Sequence, residues 1–219
     1  MHKMTTFTWA ILLFLGSNVI NPDARKANKS YENGDYESAK TWFYSALDQD
    51  PNNAEILFNL GNTLTKLGEI EEAIKVFMQA KSYTDDDLLK ALADYNIGTV
   101  LAENEQWKPA MKHLRASLQK LPLDSEGQFN YEYALMKASE EEDNNEKNQD
   151  QNENQEPPPK PSVYAKAIKE QADTLVNKSL YNSALNLMQE ALEVDETVRY
   201  YDSFISRIGA VNQIEQAEN

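Results

Sequence analysis

Residues that could perform acid–base, nucleophilic or metal chemistry are few in this chain. There are no cysteines and two histidines, so thiolate metal sites, iron–sulfur clusters and cysteine nucleophiles are excluded. His113 lies between Lys112 and Leu114, and we expect its ring to be exposed. The sequence contains no glycine-rich phosphate loop, no H-E-x-x-H pair and no recognisable Ser-His-Asp arrangement. We therefore predict a protein without catalytic residues, cofactor, metal or small-molecule substrate.

The run Asp85–Asp87 is the strongest candidate for a cation site. An EF-hand loop needs aspartates at alternating positions and a glycine, and this run has neither. Aspartate is favourable at the start of a helix, where it caps free amide groups and meets the positive end of the helix dipole. We predict that these residues begin a helix.

The overall composition limits both the fold and the partners. The chain has 36 acidic and 21 basic residues in 219, which gives a net charge of −15. Such a protein repels the phosphate backbone of nucleic acids, and no local basic patch offsets the mean charge. Seven glycines and eight prolines are too few for the turns of a many-stranded β-protein. We predict an all-α protein that does not bind nucleic acid.

A short pattern of small, charged and aromatic residues occurs three times. The segment Gly34–Ala39 is followed 34 residues later by Gly68–Ala73, and a third copy begins at Trp107. The recurring small, aromatic and proline positions are Ala39, Phe43, Ala46, Pro51, Gly61, Ala73, Phe77, Ala80, Gly98, Ala110 and Pro122. A repeat of this length indicates stacked units, each made of two helices.

The small residues of the pattern mark where the two helices of a unit cross. Side chains larger than glycine or alanine would hold the backbones apart, so we expect close contacts between Gly61 and Ala73 and between Gly98 and Ala110. Leucine and phenylalanine at helical spacing fill the remaining space between the helices. The expected turns between paired helices lie near Gly34, Gly68 and Glu105.

These positions resemble the tetratricopeptide repeat (TPR) family, whose unit is about 34 residues long. The resemblance covers three units, at residues 20–53, 54–87 and 91–124. It implies a solenoid of helical hairpins that binds protein segments on a concave side, which the first helix of each hairpin lines.

On that resemblance, a column of aromatic residues and a column of asparagines face a partner protein. A primary amide both donates and accepts, so a row of asparagines could pair with the backbone of an extended peptide. The same amides could instead bridge helices within the stack. The predicted groove consists of Asn28, Phe58, Asn59, Asn62, Tyr95, Asn96, Thr99, Phe129, Asn130 and Tyr133.

Residues 1–20 differ from the rest of the chain. An almost unbroken apolar run, Phe7–Leu15, follows a short basic start. It is too short for a membrane span, which needs about 20 residues, but suits a secretory signal peptide. We predict export, with a buried N-terminal helix as the alternative. The residues after the run form a poor cleavage site, so whether the leader is removed stays open.

The remaining boundaries follow from composition and periodicity. We expect residues 21–138 to hold three TPR units plus a capping helix from 125. Residues 139–162 contain eight acidic residues and two lysines, and we predict a disordered linker whose proline-rich end is a spacer or a partner ligand. Helical periodicity returns over 163–215, which we interpret as a fourth TPR-like unit plus a terminal helix. We expect this segment to dock on the first block or on another protein.

The whole arrangement resembles the Bacteroides aerotolerance protein C type. The specific matches are Leu187–Leu192 and Tyr200–Arg207. The resemblance implies a periplasmic envelope protein that works with von Willebrand factor A-domain membrane proteins in oxygen or stress tolerance. The alternative is a TPR subunit of another envelope machine, in outer-membrane protein assembly or in cell-division coordination.

Overall fold

The computed structural model describes the backbone of residues 21–149 and 160–218, and the side chains of residues 21–141 and 160–212. Every regular element in these ranges is helical, as the composition predicts. The chain divides into two compact units, of which the first ends at Met136 and the second begins at Lys137. The predicted leader lies outside the described residues.

Six helices of the first unit pair as three antiparallel hairpins, α1 with α2, α3 with α4 and α5 with α6. Left-handed residues close the hairpins: Gly34 (φ 77°), Gly68 (φ 75°) and Glu105 (φ 58°). Glycine adopts this conformation freely, whereas Glu105 does so at a cost because of its Cβ. The turns therefore lie where the repeat predicts them. The helices are α1 Pro22–Glu32, α2 Tyr36–Gln49, α3 Ala54–Leu67, α4 Ile70–Ser82, α5 Asp87–Glu103, α6 Trp107–Lys120 and α7 Ser125–Gln149.

Glycine permits the close crossing of the two helices in the second and third hairpins. A Cβ atom on Gly61 would lie 2.6 Å from the Phe77 ring, and one on Gly98 would lie 2.6 Å from Leu114 Cγ. The predicted contact between Gly98 and Ala110 is present, since the Ala110 carbonyl oxygen would lie 3.1 Å from that Cβ. On α4, however, the atoms nearest Gly61 belong to Phe77, one turn beyond Ala73.

The other repeated positions form the core and the turns between repeats. The recurring alanines and phenylalanines are fully buried: Ala39, Phe43, Ala46, Ala73, Phe77, Ala80 and Ala110. Pro51 and Pro122 are exposed in the turns between hairpins, where a residue without an amide hydrogen costs no helical bond.

The aspartate run begins α5, as the sequence predicts. The Asp86 carboxylate accepts a hydrogen bond from the Leu88 amide at 2.8 Å, and Asp87 forms an ion pair with Lys120 of α6. Asp86 therefore caps α5, and Asp87 holds α5 to α6.

Helix α7 continues beyond the predicted capping helix. The sequence predicts an end at 138 and disorder from 139, whereas the helix extends to Gln149. Glutamate, lysine, glutamine and alanine are good helix formers, and an ion pair of 2.7 Å joins Lys137 to Glu140 on the helix surface. The prediction of disorder is thus wrong for 139–149. Its part at 150–159 lies outside the described residues.

The second unit contains the predicted hairpin and terminal helix. Helices α8 and α9 pair, with Ala172 and Ala184 fully buried, and a 3₁₀ turn precedes α10. The hydroxyl of Ser162 caps α8 and also bonds to Asp195, which holds the start of the hairpin to the 3₁₀ turn. The elements are α8 Val163–Asn177, α9 Tyr181–Leu192, the 3₁₀ turn Glu196–Tyr201 and α10 Asp202–Glu218.

Among the helices described at 21–149 and 160–218, none combines the length and the apolar character that crossing a membrane requires.

Candidate functional site

Asparagine side chains connect the first helices of neighbouring hairpins. The Asn59 amide donates to Asn28 Oδ1 at 3.3 Å, which links α3 to α1. The Asn96 amide donates to Asn62 Oδ1 at 2.7 Å, which links α5 to α3. We call these two contacts the amide bridges. They show that the predicted row is continuous along the stack.

A third link continues the row to α7. The Asn130 amide donates to the Tyr95 hydroxyl at 3.0 Å. Burial raises the pKa of Tyr95, and the charges of Glu126 and Asp124 add to the shift. The hydroxyl therefore keeps its proton. Successive first helices are thus joined by side-chain hydrogen bonds that asparagines at matching repeat positions, Asn59, Asn96 and Asn130, donate.

The asparagines of the row are buried in this structure. Asn59 is 3% exposed and Asn96 is fully buried. Of the two roles that the sequence leaves open, the hydrogen bonds show bridging within the stack, and contact with a peptide stays a prediction. Bridging does not use every polar atom, because Asn59 Oδ1, Asn62 Nδ2 and Asn96 Oδ1 have no hydrogen-bond partner in the described part of the chain. Such buried atoms are costly, so the row has unused hydrogen-bonding capacity.

The aromatic column is part of the core at two of its three positions. Phe58 is fully buried and meets Phe77 edge to face, with ring centroids 5.6 Å apart. Tyr95 is 2% exposed, whereas Phe129 is 51% exposed. The expectation that Phe58 and Tyr95 face a partner is therefore not met, because the hairpins cover both.

The last two predicted groove residues also make contacts within the first unit. The buried Thr99 hydroxyl donates to the Asn96 carbonyl oxygen at 3.0 Å. The half-buried Tyr133 ring meets Trp107 edge to face, with centroids 5.7 Å apart. The Thr99 bond lies within α5, whereas the ring contact of Tyr133 joins α7 to α6.

A buried charged cluster joins the second and third hairpins, and sequence reasoning missed it. The His113 ring, expected to be exposed, is 7% exposed, and its Nδ1 lies 2.8 Å from Asp94 Oδ1. The Lys81 ammonium bonds the same carboxylate. These contacts tie α4, α5 and α6 together. The one signal in the sequence is an aspartate inside the otherwise apolar stretch of α5, since buried carboxylates need partners.

Ser117 lies one turn beyond His113 on α6, and its buried hydroxyl has no hydrogen-bond partner among the described residues. The contacts of Asp94 with His113 and Lys81 connect three helices and do not include Ser117.

Burial and neighbouring charges shift both titrating groups of the cluster. Burial acts to raise the pKa of Asp94, but the hydrogen bond from His113 and the charge of Lys81 outweigh it, so the pKa lies below its ordinary value. Burial lowers the pKa of His113; Lys81 and Lys112 add to this effect, and Asp94 opposes it. The folded protein thus favours a neutral ring beside an ionised carboxylate.

We expect the free energy of unfolding to fall as the pH drops below about 6.5, because His113 takes up a proton at its ordinary pKa only in the unfolded chain. Below about pH 4, protonation of Asp94 in the unfolded chain adds to the loss. Urea denaturation followed by the fluorescence of Trp42 and Trp107 measures both effects. The variant His113→Gln should remove the loss between about pH 6.5 and 5. An unchanged slope in that variant contradicts the assignment.

Residues 30–95 match the family model of the tetratricopeptide repeat. Human protein O-mannosyl-transferase TMTC3 is 31% identical over 177 residues, which cover 76% of this chain and 17% of that protein. The chain thus spans about a sixth of the length of this relative.

Two solved structures show the same fold. The MamA 41-end structure from Desulfovibrio magneticus RS-1 has a TM-score of 0.50 at 18% identity and covers 80% of this chain and 94% of its own. The first TPR domain of human RPAP3 also has a TM-score of 0.50 at 18% identity, over 55% of this chain and 93% of its own. Together with the three hairpins and their glycine crossings, these matches show a tetratricopeptide-repeat fold in the first unit.

Proposed function

We propose that this chain is a non-catalytic scaffold of the Gram-negative cell envelope, exported to the periplasm, whose first unit holds an extended segment of a partner protein. The partner class that the whole-chain resemblance suggests is the von Willebrand factor A-domain membrane protein, in a complex for oxygen or stress tolerance. The apolar run Phe7–Leu15 after a basic start supports export.

The unused polar atoms of the asparagine row are the observation that carries the proposal. After the amide bridges have formed, Asn59 and Asn96 each keep an acceptor, and Asn62 keeps a donor. An extended peptide offers both N–H and C=O groups along its length, so it can satisfy all three atoms whatever its side chains are. A row of amides therefore suits recognition of backbone rather than of one sequence.

Burial sets a condition on this binding. Because the three atoms are out of contact with water, the row must open before a segment can reach them. Hydrogen bonds formed there would be shielded from solvent and strengthened by the low local dielectric. We therefore expect slow but persistent association.

The substitution Asn62→Asp tests the row. It removes the unused donor of Asn62 but keeps Oδ1, which accepts from Asn96 in the amide bridge. We expect at least a tenfold weaker affinity for a purified von Willebrand A domain from the same organism, since the lost bond is buried and a charge is added. Surface plasmon resonance with the full-length protein measures this, and thermal denaturation checks that the variant is folded.

Asn52→Asp is the matched control, because Asn52 is exposed in a turn and the substitution changes the charge in the same way. Its affinity should equal that of the unmodified protein. If no A domain binds, the partner class is wrong; if Asn62→Asp binds as well as Asn52→Asp, the amide row is not the contact. Recovery of the native protein in the cytosolic fraction would contradict the envelope location.

A further inference from the structure

The last helix of the first unit has an apolar side that the unit leaves uncovered. Helix α7 turns Gly127, Asn130 and Ala134 towards the preceding hairpin, and all three are buried. On other sides of the helix, Phe129, Leu135 and Met136 are 51%, 46% and 46% exposed. We call the surface formed by Phe129, Glu132, Leu135 and Met136 the open face of α7. Large apolar side chains that share an uncovered surface commonly mark a binding site for a partner.

The repeat explains why this face is open. Phe129 and Leu135 stand at the positions of Phe58 and Leu64 in α3, and both of those residues are fully buried. In the second hairpin, α4 supplies the cover, with Phe77 against Phe58. Within the first unit no second helix follows α7, so the equivalent face has no cover there.

One residue of the open face, Glu132, differs from the residues at the equivalent repeat positions. This difference favours one kind of binding partner. The positions equivalent to Glu132 are Gly61 in α3 and Gly98 in α5, where even a Cβ atom would come within 2.6 Å of the covering helix. A glutamate at this position prevents an ordinary second helix from approaching as closely. It also puts a carboxylate between the apolar side chains. Covering this carboxylate without a countercharge would be unfavourable, because a buried charge needs a partner.

No described residue forms an ion pair with Glu132, and Glu126 is a further exposed acid on the same helix. A second copy of α7 on this face would set these acids against one another, which is unfavourable. A basic partner is complementary instead.

We propose that the open face of α7 binds an amphipathic helix of a partner protein that presents one lysine or arginine from within its apolar side. The apolar residues of that helix cover Phe129, Leu135 and Met136, and its cation pairs with Glu132. This surface is separate from the asparagine row, so the inference does not depend on the proposed function.

Two helix-stabilised peptides of residues 107–120, the sequence of α6, test the proposal. In the third hairpin Leu114 lies over Gly98, the equivalent of Glu132, so one peptide carries Leu114→Arg and the other Leu114→Glu. With the full-length protein we expect the arginine peptide to bind about tenfold more tightly. Glu132→Lys should reverse this preference. Fluorescence anisotropy of labelled peptides measures both.

Two controls separate the contact from a general charge effect. Glu37→Lys makes the same charge change at an exposed position on α2 and should leave the preference as it is in the unmodified protein. The double variant Phe129→Ala with Met136→Ala should weaken both peptides. Equal affinity for the two peptides, or a preference that Glu132→Lys leaves unchanged, overturns the proposal. So does a dimer of the full-length protein that the double variant abolishes in sedimentation velocity, since a second copy then covers the face.

Discussion

Replacing Phe58 with alanine is expected to lower the free energy of unfolding by about 3–5 kcal/mol. The ring is fully buried and meets Phe77, so its loss leaves a cavity between α3 and α4 that the rigid hairpin fills only in part. Urea denaturation of the full-length protein measures the change. Trp42 and Trp107 both lie in the first unit, so their fluorescence reports on its unfolding.

Phe129→Ala is the matched control for this substitution. Phe129 occupies the equivalent repeat position on α7 but is 51% exposed, so we expect a loss of less than about 1 kcal/mol. Equal losses in the two variants would show that the stack does not bury Phe58 as described. The comparison also matters for binding studies, because reduced partner binding by Phe58→Ala would reflect unfolding rather than a lost contact.

Asp94→Ala is expected to lower the free energy of unfolding by about 3–5 kcal/mol, the range for removing one member of a buried ion pair. The carboxylate accepts from His113 and Lys81, and without it the Lys81 ammonium faces a largely buried site with no countercharge from Asp94. The same denaturation measurement applies at neutral pH.

Asp87→Ala is the control for the Asp94 cluster. Asp87 also pairs with a lysine, Lys120, but its side chain is 75% exposed, and exposed pairs contribute little to the free energy of unfolding. Adding Lys81→Met to Asp94→Ala should recover part of the loss, because the uncompensated cation is then removed. If Asp94→Ala is as mild as Asp87→Ala, the cluster does not stabilise the junction between the hairpins.

The hairpin array could be predicted because the same residue types recur at equivalent positions in successive repeats. A glycine or alanine recurs where two helices cross, and a left-handed residue recurs at each turn. The positions Gly61 and Gly98 illustrate this, since a Cβ atom at either would lie 2.6 Å from a side chain of the paired helix. The end of α7 could not be predicted in this way. Its acidic and amide residues favour solvation and helix alike, and composition does not decide between the two.

The sequence predicted which positions line up in the candidate site. It did not predict whether the side chains at those positions are exposed or buried. The repeat register places Asn59, Asn96 and Asn130 in one column, and the structure joins each of them to the preceding first helix. Whether an amide in that column meets a neighbouring helix or a partner depends on distances of a few ångströms between helices. The same holds for His113, whose sequence neighbours predict exposure although α4 and α5 enclose it.

The sequence by itself determined that the chain is helical, where its hairpins begin and turn, and which small residues let the helices cross, because these features depend on neighbours along the chain and on a repeated period. Only the tertiary structure decided that Phe58 is core while Phe129 is exposed, that the asparagines bridge helices, and that Asp94 meets His113 and Lys81. Burial and charge pairing depend on which helices come together in space, and identical residue types at equivalent repeat positions have different surroundings wherever the stack ends.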